Sequence, residues 1–399
     1  MNPNRRKMLF ITTQLPFPVQ SGGVIKTWRL LEHFQEEFDL TCFCILKPMD
    51  RANLDHFKES LSDTNVVAIA CEKPRSIKNL LSSYLRGKTL NQFRNFLPEV
   101  EQEISQLAQD SELLFVDHFE MFQYVPDAYT GKVIFHEHNA EYVLWERFAE
   151  VEINPIKKQV LKLECDRIRK AELDACQKAH LVFAAPNDLV NLNLAVPDAN
   201  FKETYHLGED DLLDLPELKF NSTSKGLYFL GTLSWEANVN GVVHFLDNIF
   251  PLVLDKEPRC VFYIIGKEPD IRIVRAANRF GDNVEILGYV DDLDPIIKKC
   301  AAMVLPLRFG SGMKVKFLNA LYRGVPVVSS TLGAESIEVK HKETALIHDN
   351  ERDFADSCVT LMNNEETWSK LSVNSRILAK ANYKWEPLLR AMTEEINRL

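Results

Sequence analysis

The sequence predicts an α/β protein of two doubly wound, Rossmann-like domains that face a central cleft. Three observations predict it. Short apolar runs alternate with longer helical stretches from end to end, a rhythm that makes parallel sheets covered on both faces. The 399 residues exceed one ordinary core and suit two domains of about 200 residues each. Between two such series lies 207–225, an acidic, polar stretch with no strand pattern.

The apolar runs set the strands in order. In the first half they are Met8–Thr13, Leu40–Leu46, Val66–Ala70, Leu113–Val116, Val133–Phe135 and Leu181–Ala184. Helical stretches lie between them, among them Val24–Glu37 and the long, charged Ile156–Lys178. The second half gives Gly226–Leu230, Val261–Ile265, Val284–Leu287, Ala302–Leu305, Val325–Ser329 and Ala345–Ile347. Ligands of open parallel sheets collect beyond the carboxyl ends of the strands, so function is expected at the cleft.

Composition narrows the class. With 46% hydrophobic and 26% charged residues the chain is neither disordered nor fibrous. A net charge of −10 offers no overall positive field to a nucleic acid, so any bound anion must be held by local groups. None of the eight cysteines forms a CxxC pair, and buried thiols in a reducing compartment are the simplest reading. The basic and then apolar start, MNPNRRKMLFITTQLPFPV, is too short an apolar run for a signal peptide and reads as a first buried strand. No run approaches the roughly 18 apolar residues of a spanning helix. A cytoplasmic location is expected.

The most informative stretch is 304–335, VLPLRFGSGMKVKFLNALYRGVPVVSSTLGAE. It reads as strand, glycine-bearing loop, helix capped by Gly324, strand and second loop. Glycines 310 and 312, flanking Ser311, let the backbone pass close to a ligand at a helix start, where unpaired N–H groups suit phosphate. Arg308, Lys314 and Lys316 add formal charge at the same spot. The competing reading is an ordinary strand-to-helix turn with solvated lysines.

In this stretch the chain resembles the family-4 retaining glycosyltransferases (glycosyl transferases group 1) of the GT-B fold, and the resemblance runs in order along nearly all of it. Its fragments are PFPVQSGG at 16–23 before a helix, HNAE at 138–141, GTLSWEANVNG at 231–241, IIGKEPD at 264–270, ILGYVDDL at 286–293, and the loop and helix just described, ending with Gly333, Ala334 and Glu335. The resemblance implies an acceptor-side domain over 1–207, a nucleotide-sugar domain over 208–380 and a terminal helix, 381–399, crossing back to the first domain. It implies transfer of a sugar from a nucleotide-diphosphate donor to a hydroxyl on a glycan, a lipid-linked glycan or a protein. No metal or other cofactor is expected, because a helix start and cations can meet the leaving diphosphate. Lys314 and Lys316 fall at the diphosphate, with Arg308, Ser311 and Gly312 beside them, Gly22 and Gly23 near the phosphates, and Asn319 and Glu335 completing the donor set.

Two departures stand out. The family's paired glutamates are replaced here by Ser311 and Asn319; the second normally accepts from the ribose hydroxyls, and an amide carbonyl accepts more weakly. The family's cations after the first strand of the second domain are absent from Thr232–Glu236, so Lys314 and Lys316 are expected to compensate. On the acceptor side the catalytic candidates are Asp117, His118 and His138, with Asn139 and Glu141 as acceptor contacts; an imidazole there suits the attacking hydroxyl. His136 lies in the same HEHNAE cluster. Strand-end histidines satisfied by backbone are the alternative.

Residues 73–96 hold six Lys or Arg, no acid and an apolar stripe at helical spacing. They suit either an anionic membrane surface, giving peripheral contact at the inner face, or a solvated edge helix. Two other functions stay open: a non-catalytic relative that binds a partner enzyme or glycan, and a nucleotide-sugar epimerase on the same fold.

Overall fold

The structure, a computed structural model, describes residues 5–19, 22–74 and 76–399. Gln20 and Ser21 of the PFPVQSGG segment, and Arg75 of the basic segment, lie outside the described residues. Contacts divide the chain into two units, Met1–His206 with Trp385–Leu399, and Leu207–Lys384.

The first unit carries β1 (Lys7–Thr12), β2 (Asp39–Leu46), β3 (Asn65–Ala70), β4 (Leu113–Asp117), β5 (Lys132–His136), β6 (Leu181–Ala184) and β7 (Phe201–Glu203). They form one parallel sheet in the order β3-β2-β1-β4-β5-β6-β7. After its first residue β1 is wholly buried, which is what a run of MLFIT between two layers of helix requires. Phe10 stacks on Phe115 across the β1–β4 pair with centroids 4.8 Å apart. Phe34 of the Gly22–Glu37 helix meets Phe115 edge-on at 5.3 Å, a preferred aromatic geometry that seats this helix over the middle of the sheet.

The second unit carries β8 (Gly226–Leu230), β9 (Val261–Ile265), β10 (Val284–Gly288), β11 (Cys300–Leu305), β12 (Val327–Ser329) and β13 (Leu346–Ile347). These are also parallel, in the order β10-β9-β8-β11-β12-β13. The Val315–Arg323 helix buries Phe317, Leu318, Leu321 and Tyr322 and ends at Gly324, whose φ of 78° is the left-handed cap that favours glycine.

Both sheets are doubly wound, as the sequence predicts. In each the order reverses beside the first strand, at β1/β4 and at β8/β11, and such switch points open the crevice that binds ligands. One strand, β7, is not foreseen: three residues, FKE, at a sheet edge carry no readable alternation. β12 is shorter than Val325–Ser329 because Pro326 has no N–H for the ladder. The eight cysteines are free thiols, all but Cys165 buried. Among the described residues no helix is long and apolar enough to cross a membrane.

Candidate functional site

Each switch point gathers polar side chains. In the first unit β1 ends at Thr12, β4 at Asp117 and β5 at His136, and the Gly22–Glu37 helix lays Lys26 and Thr27 over them. The fully buried Asp117 carboxylate accepts four hydrogen bonds. Thr12 Oγ1 (2.9 Å) and Thr27 Oγ1 (2.8 Å) donate to Oδ2; His136 Nδ1 (2.7 Å) and His138 Nε2 (2.6 Å) donate to Oδ1. Two donors per oxygen fill the lone pairs of an ionised carboxylate. Burial alone would raise the Asp117 pKa; the imidazoles of His138 and His118 and the hydrogen bonds from His136 and His138 outweigh it and hold the group well below the usual range.

An ionised carboxylate can only accept, so the two rings are fixed as tautomers. His136 carries its proton on Nδ1, and His138 on Nε2. The free lone pair of His138 is therefore on Nδ1, beside the start of the Gly22–Glu37 helix, where a Cβ on Gly23 would stand 3.7 Å away. His118 stacks on His138 with centroids 3.6 Å apart. Its φ of 78° is a backbone strain of about 1–3 kcal/mol for a non-glycine residue. With 21% of its side chain exposed, against none for His136 and 6% for His138, His118 is the most exposed of these three imidazoles, although its Nε2 is buried.

Burial lowers all four imidazoles of the cluster: His118 and His136 to about 4, His138 also downward, and His206 well below the ordinary value. His206 lies flat over His136 at 5.5 Å. Lys26, lowered to about 7 by burial against the pull of Asp117, donates to Thr204 Oγ1 (2.7 Å) and the Tyr205 carbonyl (2.8 Å). The folded cluster thus refuses protons that the unfolded chain binds near pH 6.5. The stability contributed by these imidazoles is full above pH 6.5 and is lost as the pH falls towards 4. Replacing His136 by Asn keeps a donor to Asp117 and removes one titrating group. Denaturant titrations at several pH values should then show the slope of stability in this window flattened by about 1.4 kcal/mol per pH unit; an unchanged slope would place the proton uptake elsewhere.

Sequence spacing shows no metal-ligand cluster, yet among the described residues the fold assembles one candidate group: donor atoms of Asp117, His136 and His138 lie within 4.8 Å of one another. The two Asp–His separations of 2.6 and 2.7 Å are hydrogen-bond lengths, shorter than the roughly 3.3 Å between ligands around a tetrahedral ion with bonds of 2.0–2.1 Å. This arrangement is a carboxylate clamping two neutral imidazoles.

The second switch point holds the donor candidates. Lys316, in the first turn of the Val315–Arg323 helix, sends Nζ to Asn238 Oδ1 (2.8 Å) and over the Phe229 ring (4.4 Å). It reaches the end of β8, where a Cβ on Gly231 would lie 2.5 Å from Nζ, so a side chain there would push the ammonium aside. Burial, with Lys314 beside it, lowers Lys316 to about 7. Gly266 completes the wall: a Cβ there would lie 1.8 Å from the Gly231 carbonyl, and its φ is 153°. Lys314 is buried and donates to the Gly312 carbonyl (2.6 Å) and the Ser311 carbonyl (3.3 Å). Gly310 and Gly312 take positive φ in the same loop. Lys316 thus brings a cation to the end of β8 from the helix.

The remaining predicted residues are scattered in their engagement. Arg308 is exposed and lies close enough to His244 to depress its pKa. Asn319 Oδ1 accepts from the Glu209 backbone N–H at 3.0 Å. Glu335 follows the short turn Leu332–Ala334 after β12. Gly22 and Gly23 open their helix. Asn139 is half-buried in the turn before the Glu141–Val151 helix, and Glu141 Oε2 accepts from Trp145 Nε1 at 3.2 Å within that helix. Sequence reasoning does not find Thr12, Thr27, Lys26 or His206. No local spacing links them; the strand ends do.

Several solved structures share this architecture. HepE of Anabaena, described in complex with UDP and glucose, superposes with a TM-score of 0.70 at 13% identity, over 99% of this chain and all of that one. Sucrose-phosphate synthase of Thermosynechococcus elongatus gives 0.71 at 14%, over 99% of each. The fold is GT-B. Part of the sequence adds a family likeness. Residues 224–364 match the glycosyl transferases group 1. This group 1 segment contains β8 to β13 and every side chain of the second switch point. Among curated relatives, a 44.6 kDa protein of the cps region of Klebsiella pneumoniae is 22% identical over 44% of this chain and 47% of its own length. The glycosyltransferase 1 domain-containing protein 1 of Xenopus tropicalis is 26% identical over 36% and 42%. The chain spans less than half the length of these relatives.

Proposed function

We propose that this protein moves a sugar, with retention and without a metal, from a nucleotide-diphosphate sugar to a hydroxyl acceptor on a glycan, a lipid-linked glycan or a protein. The observation that carries this reading is Lys316, a cation delivered by a helix start to the switch point of the group 1 segment. The likeness to HepE, whose structures are described with UDP and with UDP-glucose, supports a nucleotide sugar as donor. Lys314 and Lys316 would meet the diphosphate charge that grows as the glycosidic bond breaks. A bound diphosphate would raise the pKa of Lys316 and keep it protonated. His118, neutral at pH 7 and partly exposed, would accept a hydrogen bond from the acceptor hydroxyl or the sugar. The departing phosphate can take the proton.

Asn319 favours a second reading, a non-catalytic subunit, because its carbonyl oxygen is already engaged by Glu209 N–H. Asn319→Glu separates the two. A carboxylate can keep that N–H on one oxygen and offer the other, charged, to a ribose hydroxyl. Nucleotide diphosphate should bind several-fold tighter, about a kcal/mol, by calorimetry. Unchanged or weaker binding with the fold intact favours the non-catalytic subunit.

A further inference from the structure

The basic segment does not act alone. On the Ile77–Leu85 helix, Ile77, Leu81 and Leu85 are 78%, 60% and 90% exposed, and their spacing of four places them on one face. A second outward stripe, Ile156, Val160 and Leu163, follows on the Pro155–Lys178 helix, with Ile153 just before it at 95%. Single exposed apolar residues mean little, but contiguous ones mark a contact surface. With Ile153, these two stripes hold seven of the sixteen large exposed apolar side chains among the described residues.

The two helices are joined. The Arg167 guanidinium lies 4.0 Å from the Tyr84 ring centroid and donates to the Ser83 and Lys88 carbonyls. Glu164 Oε1 accepts from Leu90 N–H. Leu163 is one turn back along the same helix from Arg167. The two segments are cationic: 73–97 and 153–163 together hold nine Lys or Arg and no Asp or Glu, in a chain of net charge −10, with Glu152 at their border paired to Lys157. Lys78, Arg86 and Lys162 are exposed.

We propose that these two stripes form one docking surface for an anionic lipid bilayer, the apolar side chains entering the headgroup layer and the cations meeting lipid phosphates. A protein partner would be served equally by mixed charges; a strongly net-cationic rim around flexible aliphatic side chains complements a phosphate-coated apolar phase. The proposal concerns the first unit alone and does not depend on sugar transfer.

Flotation of the full chain with vesicles tests it. Vesicles of phosphatidylcholine with about a quarter phosphatidylglycerol should bind more than about tenfold better than phosphatidylcholine alone, and high salt should abolish the difference. The double variant Leu85→Glu, Ile156→Glu should lose about tenfold or more of that binding, and Lys78→Glu, Arg86→Glu a comparable amount. Leu194→Glu, which changes an equally exposed residue on another helix, should not. Circular dichroism and melting should be unaltered, since these side chains pack against nothing that folding needs. Absence of binding, indifference to lipid charge, or self-association that Leu85→Glu, Ile156→Glu disperses would overturn the proposal, the last by assigning the face to a second copy of the chain.

Discussion

Replacing Lys314 and Lys316 together by alanine should weaken nucleotide diphosphate binding by at least about a hundredfold. A charged hydrogen bond to phosphate is worth about 1.5–3 kcal/mol, and each factor of ten in affinity is about 1.4 kcal/mol. Both lysines already hold internal acceptors, Gly312 O and Asn238 Oδ1, so the lower end of that range is the fair expectation for each. The first unit should melt unchanged. Lys316→Met, which keeps the stem over Phe229 and removes the charge, should reproduce much of the loss. If the double variant binds like the parent, the diphosphate lies elsewhere.

Asp117→Asn should cost about a hundredfold or more in transfer while leaving nucleotide binding intact. The substitution is isosteric, and its amide group can face Thr12 and Thr27, whose hydroxyls rotate to accept. His136 and His138 are then left on a neutral carbonyl, which binds them roughly half as strongly. Their tautomers are no longer enforced, and His118, the ring assigned to the acceptor, stacks on His138 at 3.6 Å, so it loses the support that holds it in place. Asp117 is a positioning residue in this account, so kcat should fall with little change in the donor KM. The pH profile should also shift as the imidazoles lose their anionic neighbour. A variant within a few-fold of the parent would show that the cluster only holds the strand ends together.

The sheets and most helices were legible in the sequence because buried parallel strands are short runs of Val, Ile, Leu and Phe between amphipathic stretches. β7 was not, because an edge strand of FKE is no more apolar than a loop. In HEHNAE the two-residue period already sets His136 and His138 on one side of the chain and Glu137 on the other, and the structure agrees: Glu137 is buried away from Asp117, its pKa pushed well up by burial and by Glu172. The partners of Asp117 at positions 12 and 27, and His206 over His136, were invisible, since residues that meet only through strand order leave no mark in local spacing. The role of Lys316 was half visible. Its charge and place on a helix start could be read, but its reach to the end of β8 depends on Gly231 lacking a side chain. For Asn319 the sequence showed the missing carboxylate and not its engagement by Glu209.

Calorimetric titration of nucleotide diphosphates into the parent protein, in the presence of a chelator, tests the central claim most directly. Binding at micromolar concentration is predicted, with proton uptake seen as a dependence of the heat on the buffer, because Lys316 passes from a pKa near 7 to full protonation beside the diphosphate. No binding at millimolar nucleotide, or binding that the chelator abolishes, would contradict it.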